Sequence, residues 1–422
     1  MSLVVVGILF AAIAGLPLFL VLSVLAISGF ISNDLISTLY FAEVIRLAEN
    51  PTLVAIPLFT FGGYLLAESN ASSRMVSLAK KLLGWFPGGL AIVALSTMAL
   101  FTAFSGASGI TIIALGGLMM PAMLKDGYGK KFSLGLLTVS GSVGLLFPPS
   151  LPLIIYAVIA ETPVTHMFIG GVLPGIIMVF AISLYCIKKG YSLSSLDSDD
   201  EVESWSKLAV VGWEAPLPIV IIGGIYGGLI TVVEAAIVTV VYLVIIECFV
   251  IKDISFRRDL PRILRESSVL IGGILLIIGS ALALTNYIVF ADIPSVTLSW
   301  IQKIITTQIG FLILLNLFLL IIGFLMDVFS ALMVIVPIVL PIAIEYGIHP
   351  VHLGIIFLAN LEIGYNTPPV GLNLFISSFR FNTPVLKVYR STVPFLMIQL
   401  VVLAIITYFP LLTLYPLNIF GN

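Results

Sequence analysis

The stretch Gly144-Leu145-Leu146-Phe147-Pro148-Pro149-Ser150-Leu151-Pro152 decides how this chain folds. It returns later as Gly364-Tyr365-Asn366-Thr367-Pro368-Pro369-Val370-Gly371-Leu372. Each copy lies inside an apolar segment long enough to cross a bilayer. Paired prolines remove backbone donors and clash with the preceding turn, so each helix must break there. A break at that depth stands only where protein or a water-filled cavity satisfies the freed carbonyls. Two breaks in matching positions point to a transport site.

Composition sets the surroundings. Of 422 residues, 60% are hydrophobic and 9% charged, and the mean hydropathy is +1.21. Soluble proteins carry about 25% charged residues. The chain therefore reads as an all-α polytopic protein whose first partner is the lipid bilayer. A net charge of −2 gives no electrostatic basis for binding nucleic acid. Cys186 and Cys248 lack metal-ligand spacing and read as packing residues. His349 and His352 flank Pro350 in what reads as a solvated turn rather than a metal pair. No Ser-His-Asp set, zinc-protease motif or phosphate loop occurs, so a hydrolase would rest on Ser105 and Asp327 alone. The chain is read as a carrier, not an enzyme.

Loop charges orient the segments. The first span, 4–27, lacks the marks of a signal peptide and reads as retained. Segments 52–67, 168–187, 267–290 and 395–414 are further spans, and 72–86 and 293–307 read as surface helices. Apolar runs 90–104 and 110–124 are short of the about 20 residues a crossing needs, and they meet at Ser105-Gly106-Ala107-Ser108-Gly109. Lys80 and Lys81 precede them and Lys125, Lys130 and Lys131 follow, so both ends belong on the cytoplasmic side. That is a re-entrant hairpin dipping from inside. Runs 309–324 and 330–344 meet at Leu325-Met326-Asp327-Val328-Phe329, and the loop after them has no Lys or Arg, so this hairpin is expected to dip from outside. Segments 132–160 and 351–379 are the two broken helices. Segments 216–229 and 231–250 read as two more spans, the former supplying the extra crossing that inverts the second half. Glu234 and Glu247 read as interfacial.

A shift of 220 residues places Pro368 on Pro148, Pro369 on Pro149, Gly364 on Gly144, Gly347 on Gly127 and Pro341 on Pro121. It also lays hairpin on hairpin and broken helix on broken helix. The expected organisation is a first repeat over 1–190, a cytoplasmic linker over 191–214 carrying Asp197, Asp199, Asp200, Glu201 and Glu203, and a connecting helix with the inverted second repeat over 215–422. Inverted repeats with discontinuous helices at the midplane mark secondary transporters. Carbonyls freed at a break suit Na⁺, while N-terminal half-helix ends suit a carboxylate. Hydroxyls of Ser105, Ser108 and Thr367 can complete a cation shell without adding charge. Asp327 reads equally as a site residue or as the cap of the following half-helix. Glu362 is either proton-linked or a helix–helix hydrogen-bonding group. Arg380 is at best peripheral, and nothing at the breaks identifies a substrate.

At Phe-Ser-Gly-Ala-Ser-Gly (104–109), Gly-Leu-Leu-Phe-Pro-Pro-Ser (144–150) and Gly-Tyr-Asn-Thr-Pro-Pro-Val-Gly-Leu-Asn (364–373), the sequence resembles the large membrane (M, DctM-like) subunit of tripartite ATP-independent periplasmic (TRAP) transporters. The resemblance covers essentially the whole chain. It implies an elevator-type ion-transporter superfamily fold and Na⁺-coupled uptake of an organic acid, of the sialic acid or C4-dicarboxylate class, across a bacterial cytoplasmic membrane. It also implies two partners: a periplasmic substrate-binding protein, and a small membrane subunit expected as a separate chain. No cofactor is implied beyond Na⁺ as coupling ion. One sodium site falls on Ser105, Ser108, Gly144, Phe147 and Pro149, and the other on Gly323, Gly364, Thr367 and Val370. Substrate contacts fall on Ala107, Asp327, Pro148, Pro368 and Asn373. The alternative is a stand-alone carrier of the same superfamily that needs no binding protein.

Overall fold

The computed structural model describes residues 7, 16–33, 38–49, 51–71, 73–77, 86–190, 213 and 216–420. The start of the expected first span, most of the first surface helix and the acidic linker lie outside the described residues. The described chain is helical, with seven helices long and apolar enough to cross a membrane, or eight if one bent pair counts as a single span.

The first hairpin joins Gly89–Ser105 to Ser108–Lys125 through Gly106 and Ala107. Gly106 has φ +66°, a left-handed turn that glycine enters without cost. A Cβ there would lie 2.8 Å from Leu151 Cβ, so the tip also needs glycine for its approach to the first broken helix. The second hairpin joins Gln308–Leu325 to Val328–Glu345 through Met326 and Asp327. The two tips stand at the same 220-residue shift that relates the proline pairs.

The first broken helix runs Lys130–Leu146, then Leu151–Ile159, bent by 42° at the break. The second runs Pro350–Gly364, then Leu372–Arg380. Pro148–Pro149 and Pro368–Pro369 are both cis. The halves exchange partners. Leu151–Ile159 packs on the second hairpin arm Val328–Glu345, while Leu372–Arg380 packs on the first hairpin at Ser108–Gly116. Likewise Lys130–Val143 lies along Val385–Tyr408, and Val164–Gly190 lies along Pro350–Gly364. The breaks are therefore held between the two hairpins.

Around this body, Leu18–Ser32 and Ala55–Glu68 pack on Asp259–Phe290. Gly29 lets Tyr287 close against its helix, since a Cβ would meet the ring at 2.5 Å. The helix over Pro216–Tyr226 corrects an expectation. It ends before Leu229 because Gly228 takes φ +66°. Its 11 described residues rise about 17 Å, roughly half the hydrocarbon thickness.

Two side chains expected at the surface are buried. Glu247, expected at the interface, is 0% exposed, and both its oxygens lie 3.1 Å from Arg74 Nη2. Arg74 Nη1 also pairs with Asp253. Burial raises the Asp253 carboxyl pKa, but the Arg74 hydrogen bond and charge with the Asn70 N–H outweigh it, so the net shift is downward. That contribution to stability is present above its unfolded pKa, near 3.8, and is lost as pH falls below that value. Removing one partner from a buried pair leaves an uncompensated charge and costs about 3–5 kcal/mol. Arg74→Ala is therefore expected to lower the thermal unfolding midpoint of the purified protein clearly, whereas an unchanged midpoint would exclude the pair as a brace. His352, expected in a solvated turn, is 4% exposed and lies 3.2 Å from Thr413 Oγ1 and from the Thr407 carbonyl. Glu234 forms a capping box with Thr231, and Cys186 and Cys248 are buried and unbridged.

Candidate ion and substrate site

At the first break the helix ends at Val143, turns through Gly144–Leu146 and becomes extended at Phe147. A Cβ on Gly144 would lie 2.1 Å from the Ala99 carbonyl oxygen and 2.6 Å from Thr102 Cβ, so backbone approaches backbone where the first hairpin arm passes. The polar side chains around this junction are neutral. Thr102 Oγ1 donates to Thr111 Oγ1 at 2.7 Å and also lies 2.9 Å from the Gly141 carbonyl. Ser105 and Ser108 are each 3% exposed. The hydroxyl of Ser150 is buried without a hydrogen-bond partner among the described residues. Such an orphan oxygen is costly to bury unless something meets it, and a hard monovalent cation fits a set of neutral hydroxyls and carbonyls.

The second break is built the same way but stands more open. A Cβ on Gly364 would lie 2.5 Å from both Cα and C of Gly323, so the second hairpin and second break meet glycine to glycine. Thr367 Oγ1 donates to the Ile363 carbonyl at 2.8 Å, and Thr367 N donates to the Gly364 carbonyl at 3.0 Å. The buried Tyr365 hydroxyl accepts from Val328 N at the hairpin tip. Thr367 is half-buried, whereas Pro368, Pro369 and Val370 are exposed. Phe147 apart, which is half-buried, the first break is enclosed.

A polar chain joins the two breaks. Ser108 Oγ, on the first tip, donates to Asn373 Oδ1 at 2.7 Å. Asn373 Nδ2 donates to Asn366 Oδ1 at 3.1 Å. Asn366 Nδ2 donates to Ser142 Oγ at 2.9 Å and to the Glu362 carbonyl at 3.0 Å. All four residues are buried. One continuous set of hydrogen bonds thus runs from the first hairpin tip through the second break to the turn before the first.

The expected residues sort accordingly. Gly144 meets the first hairpin arm at Ala99, Thr102 and Ala103, close before Ser105, and Gly106 at the tip beside Ala107 and Ser108 meets Leu151, just past Phe147, Pro148 and Pro149; at the second break Gly323 meets Gly364, whose carbonyl accepts from Thr367 N. Asn373, expected as a substrate contact, is bonded to Ser108 of the first group. Asp327 acts as a cap: its Oδ1 accepts from Phe329 N at 2.9 Å and Ser330 N at 3.1 Å, and its Oδ2 from the Ser330 hydroxyl. Glu362 accepts from Gln399 Nε2 at 2.9 Å, the helix–helix bond weighed from sequence. Arg380 Nε donates to the Ile113 carbonyl at 2.7 Å, which ties the second broken helix to the first hairpin where Ile112–Gly116 widens into a π-turn. Ser142, Ser150 and Asn366 join these residues, although the sequence alone assigns them no role. Their signal was their polarity inside apolar helices, where an unsatisfied group is costly.

Comparison with known proteins places these features in context. A family model described as "Tripartite ATP-independent periplasmic transporter, DctM component" matches residues 1–412. The chain is 35% identical over 374 residues to the C4-dicarboxylate TRAP transporter large permease protein DctM of Pseudomonas aeruginosa, covering 88% of this chain and 87% of that one. It is 31% identical over 411 residues to the isethionate TRAP transporter permease protein DctMQ of Oleidesulfovibrio alaskensis, covering 96% of this chain and 64% of that one. The ectoine/5-hydroxyectoine large permease protein UehC of Ruegeria pomeroyi is 29% identical, with 95% of each covered. Among solved structures, the Alcanivorax borkumensis YdaH transporter, noted for an unusual topology, superposes with a TM-score of 0.60 at 14% identity, over 88% of this chain and 86% of that one. This last likeness concerns fold alone.

Proposed function

The chain belongs to the DctM family of tripartite ATP-independent periplasmic transporter components, and on that premise we propose that it carries an organic acid across the bacterial cytoplasmic membrane with Na⁺ as coupling ion. It is a multi-pass membrane transporter subunit, and its family works with a periplasmic binding protein and a small membrane subunit. The binding protein delivers the acid to the paired breaks. A C4-dicarboxylate is the proposed substrate, because three of the related permeases are named for that class. No relative named here favours sialic acid.

The observation that carries this reading is the buried chain Ser108–Asn373–Asn366–Ser142. It makes both breaks and the first hairpin tip one body, so an ion met at one junction constrains the geometry of the other. Neutral oxygens from Ser105, Ser108 and Thr367, with carbonyls of the broken turns, would meet Na⁺. N-terminal half-helix ends at Leu151 and Leu372 would face the carboxylate. Movement of this body against the helices around Asp259–Phe290 would give alternating access, as an elevator.

The test is uptake into proteoliposomes holding this chain and its small subunit, with binding protein loaded with succinate as a representative C4-dicarboxylate. Uptake is expected only with an inward Na⁺ gradient and only with binding protein present. Equal uptake in K⁺ would overturn the coupling. Equal uptake without the binding protein would favour the stand-alone carrier.

A further inference from the structure

A second polar site lies away from the breaks, between the starts of the helices Lys130–Val143 and Val385–Tyr408. It is a cavity of about 450 Å³ lined by Lys130, Lys131, Lys387, Arg390, Asn382 and Ser391 among others, with no Asp or Glu in its wall. All four cations are exposed, and none forms an ion pair among the described residues. Two helix N-termini converge here and add partial positive charge. A cytoplasmic cation bias explains why such residues are retained on this side of a membrane protein. It does not explain why four of them line one concave wall, where like charges repel unless an anion sits between them.

The exposed face of Val385–Tyr408 beside the cavity is the second observation. Leu386, Val393, Met397 and Val401 are 67%, 49%, 60% and 60% exposed. With Arg390 they recur at spacings of three and four, so they form one stripe down the same helix. Arg390 belongs both to the cationic wall and to this stripe, so the cavity adjoins an exposed apolar track along Val385–Tyr408. A free anion has no use for that track, whereas an amphiphile with a phosphate head uses both parts. Basic pockets between membrane helices on the cytoplasmic side suit anionic headgroups.

We infer that this cavity binds the headgroup of an anionic phospholipid, whose acyl chain lies along Leu386, Val393, Met397 and Val401. Lys130, Lys131, Lys387 and Arg390 meet the phosphate oxygens, with Asn382 and Ser391 as neutral donors. The site belongs to the body that carries the breaks, since Lys130–Val143 is the first half of the first broken helix. The anchor therefore acts on the element whose movement transport requires.

The test uses the purified complex of this chain with its small subunit, titrated with phosphatidylglycerol or phosphatidylcholine and read by native mass spectrometry. The wild type is expected to retain phosphatidylglycerol selectively and to lose that selectivity as salt is raised. Lys387→Gln with Arg390→Gln is expected to weaken phosphatidylglycerol binding roughly twenty-five-fold, about fivefold per cation removed, and to leave phosphatidylcholine unchanged. The charge-preserving pair Lys387→Arg and Arg390→Lys should bind as the wild type does. Retention unaltered in the Gln variant, as when the small subunit fills the cavity, overturns the site. Displacement of the lipid by millimolar inorganic phosphate assigns the cavity to a soluble anion and overturns the lipid assignment.

Discussion

Gly364→Ala is expected to abolish most uptake while the chain still reaches the membrane. The added methyl would lie 2.5 Å from Gly323 Cα and C, which are backbone atoms without a rotamer to change. The second hairpin must therefore move off the second break. Overpacking of this kind costs about 1–3 kcal/mol, and since 1.4 kcal/mol is a factor of ten, uptake should fall by roughly fivefold to a hundredfold. The reciprocal change is a graded control. A Cβ on Gly323 would stand 3.1 Å from Gly364 Cα, so Gly323→Ala should be the milder of the two. Uptake rates under matched Na⁺ gradients decide the order. Equal activity of Gly364→Ala and wild type would mean that the hairpin and break do not meet as described.

Asn373→Leu is expected to be comparably severe for a different reason. The leucine leaves the Ser108 hydroxyl and Asn366 Oδ1 buried without the partners they have at 2.7 and 3.1 Å. Each stranded group costs about 1–3 kcal/mol, so the loss should approach the sum of both. Ser142→Ala strands a donor, Asn366 Nδ2, that still reaches the Glu362 carbonyl at 3.0 Å, and its effect should be smaller. Thermal unfolding and uptake measured together separate the cases. A variant that loses uptake but keeps its unfolding midpoint would place Asn373 in the ion or substrate shell itself, and one that keeps both would remove the tie from the mechanism.

Much of this architecture is legible in the sequence. The proline pairs could not continue a helix, and the 220-residue shift carried the hairpin tips, both breaks and the left-handed turns at Gly127 and Gly347 into register. The breaks and tips are local signals, written in residues adjacent along the chain, and the shift needs only a comparison of the two halves. The tie between the breaks was not legible, because Ser108 and Asn373 stand 265 residues apart and nothing local says that they meet. The exchange of partners between halves hides Arg380 similarly, since its acceptor is the Ile113 carbonyl, 267 residues earlier and inside the π-turn at Ile112–Gly116. Glu247 misled through its position near a helix end, where a carboxylate usually finds water. Its partner Arg74 arrives from a segment 173 residues earlier. Hydropathy suggests a helix through Leu229, but the backbone leaves it after Tyr226, where Gly228 takes a left-handed φ.

Equilibrium binding of radiolabelled Na⁺ to the purified complex decides whether the two glycine-and-proline breaks, joined by neutral oxygens, hold the coupling ion we propose. Saturable binding is expected in the wild type, reduced by Ser108→Ala and by Thr367→Val singly, and largely lost when the two are combined. No saturable Na⁺ binding, or wild-type binding in the double variant, would contradict the claim.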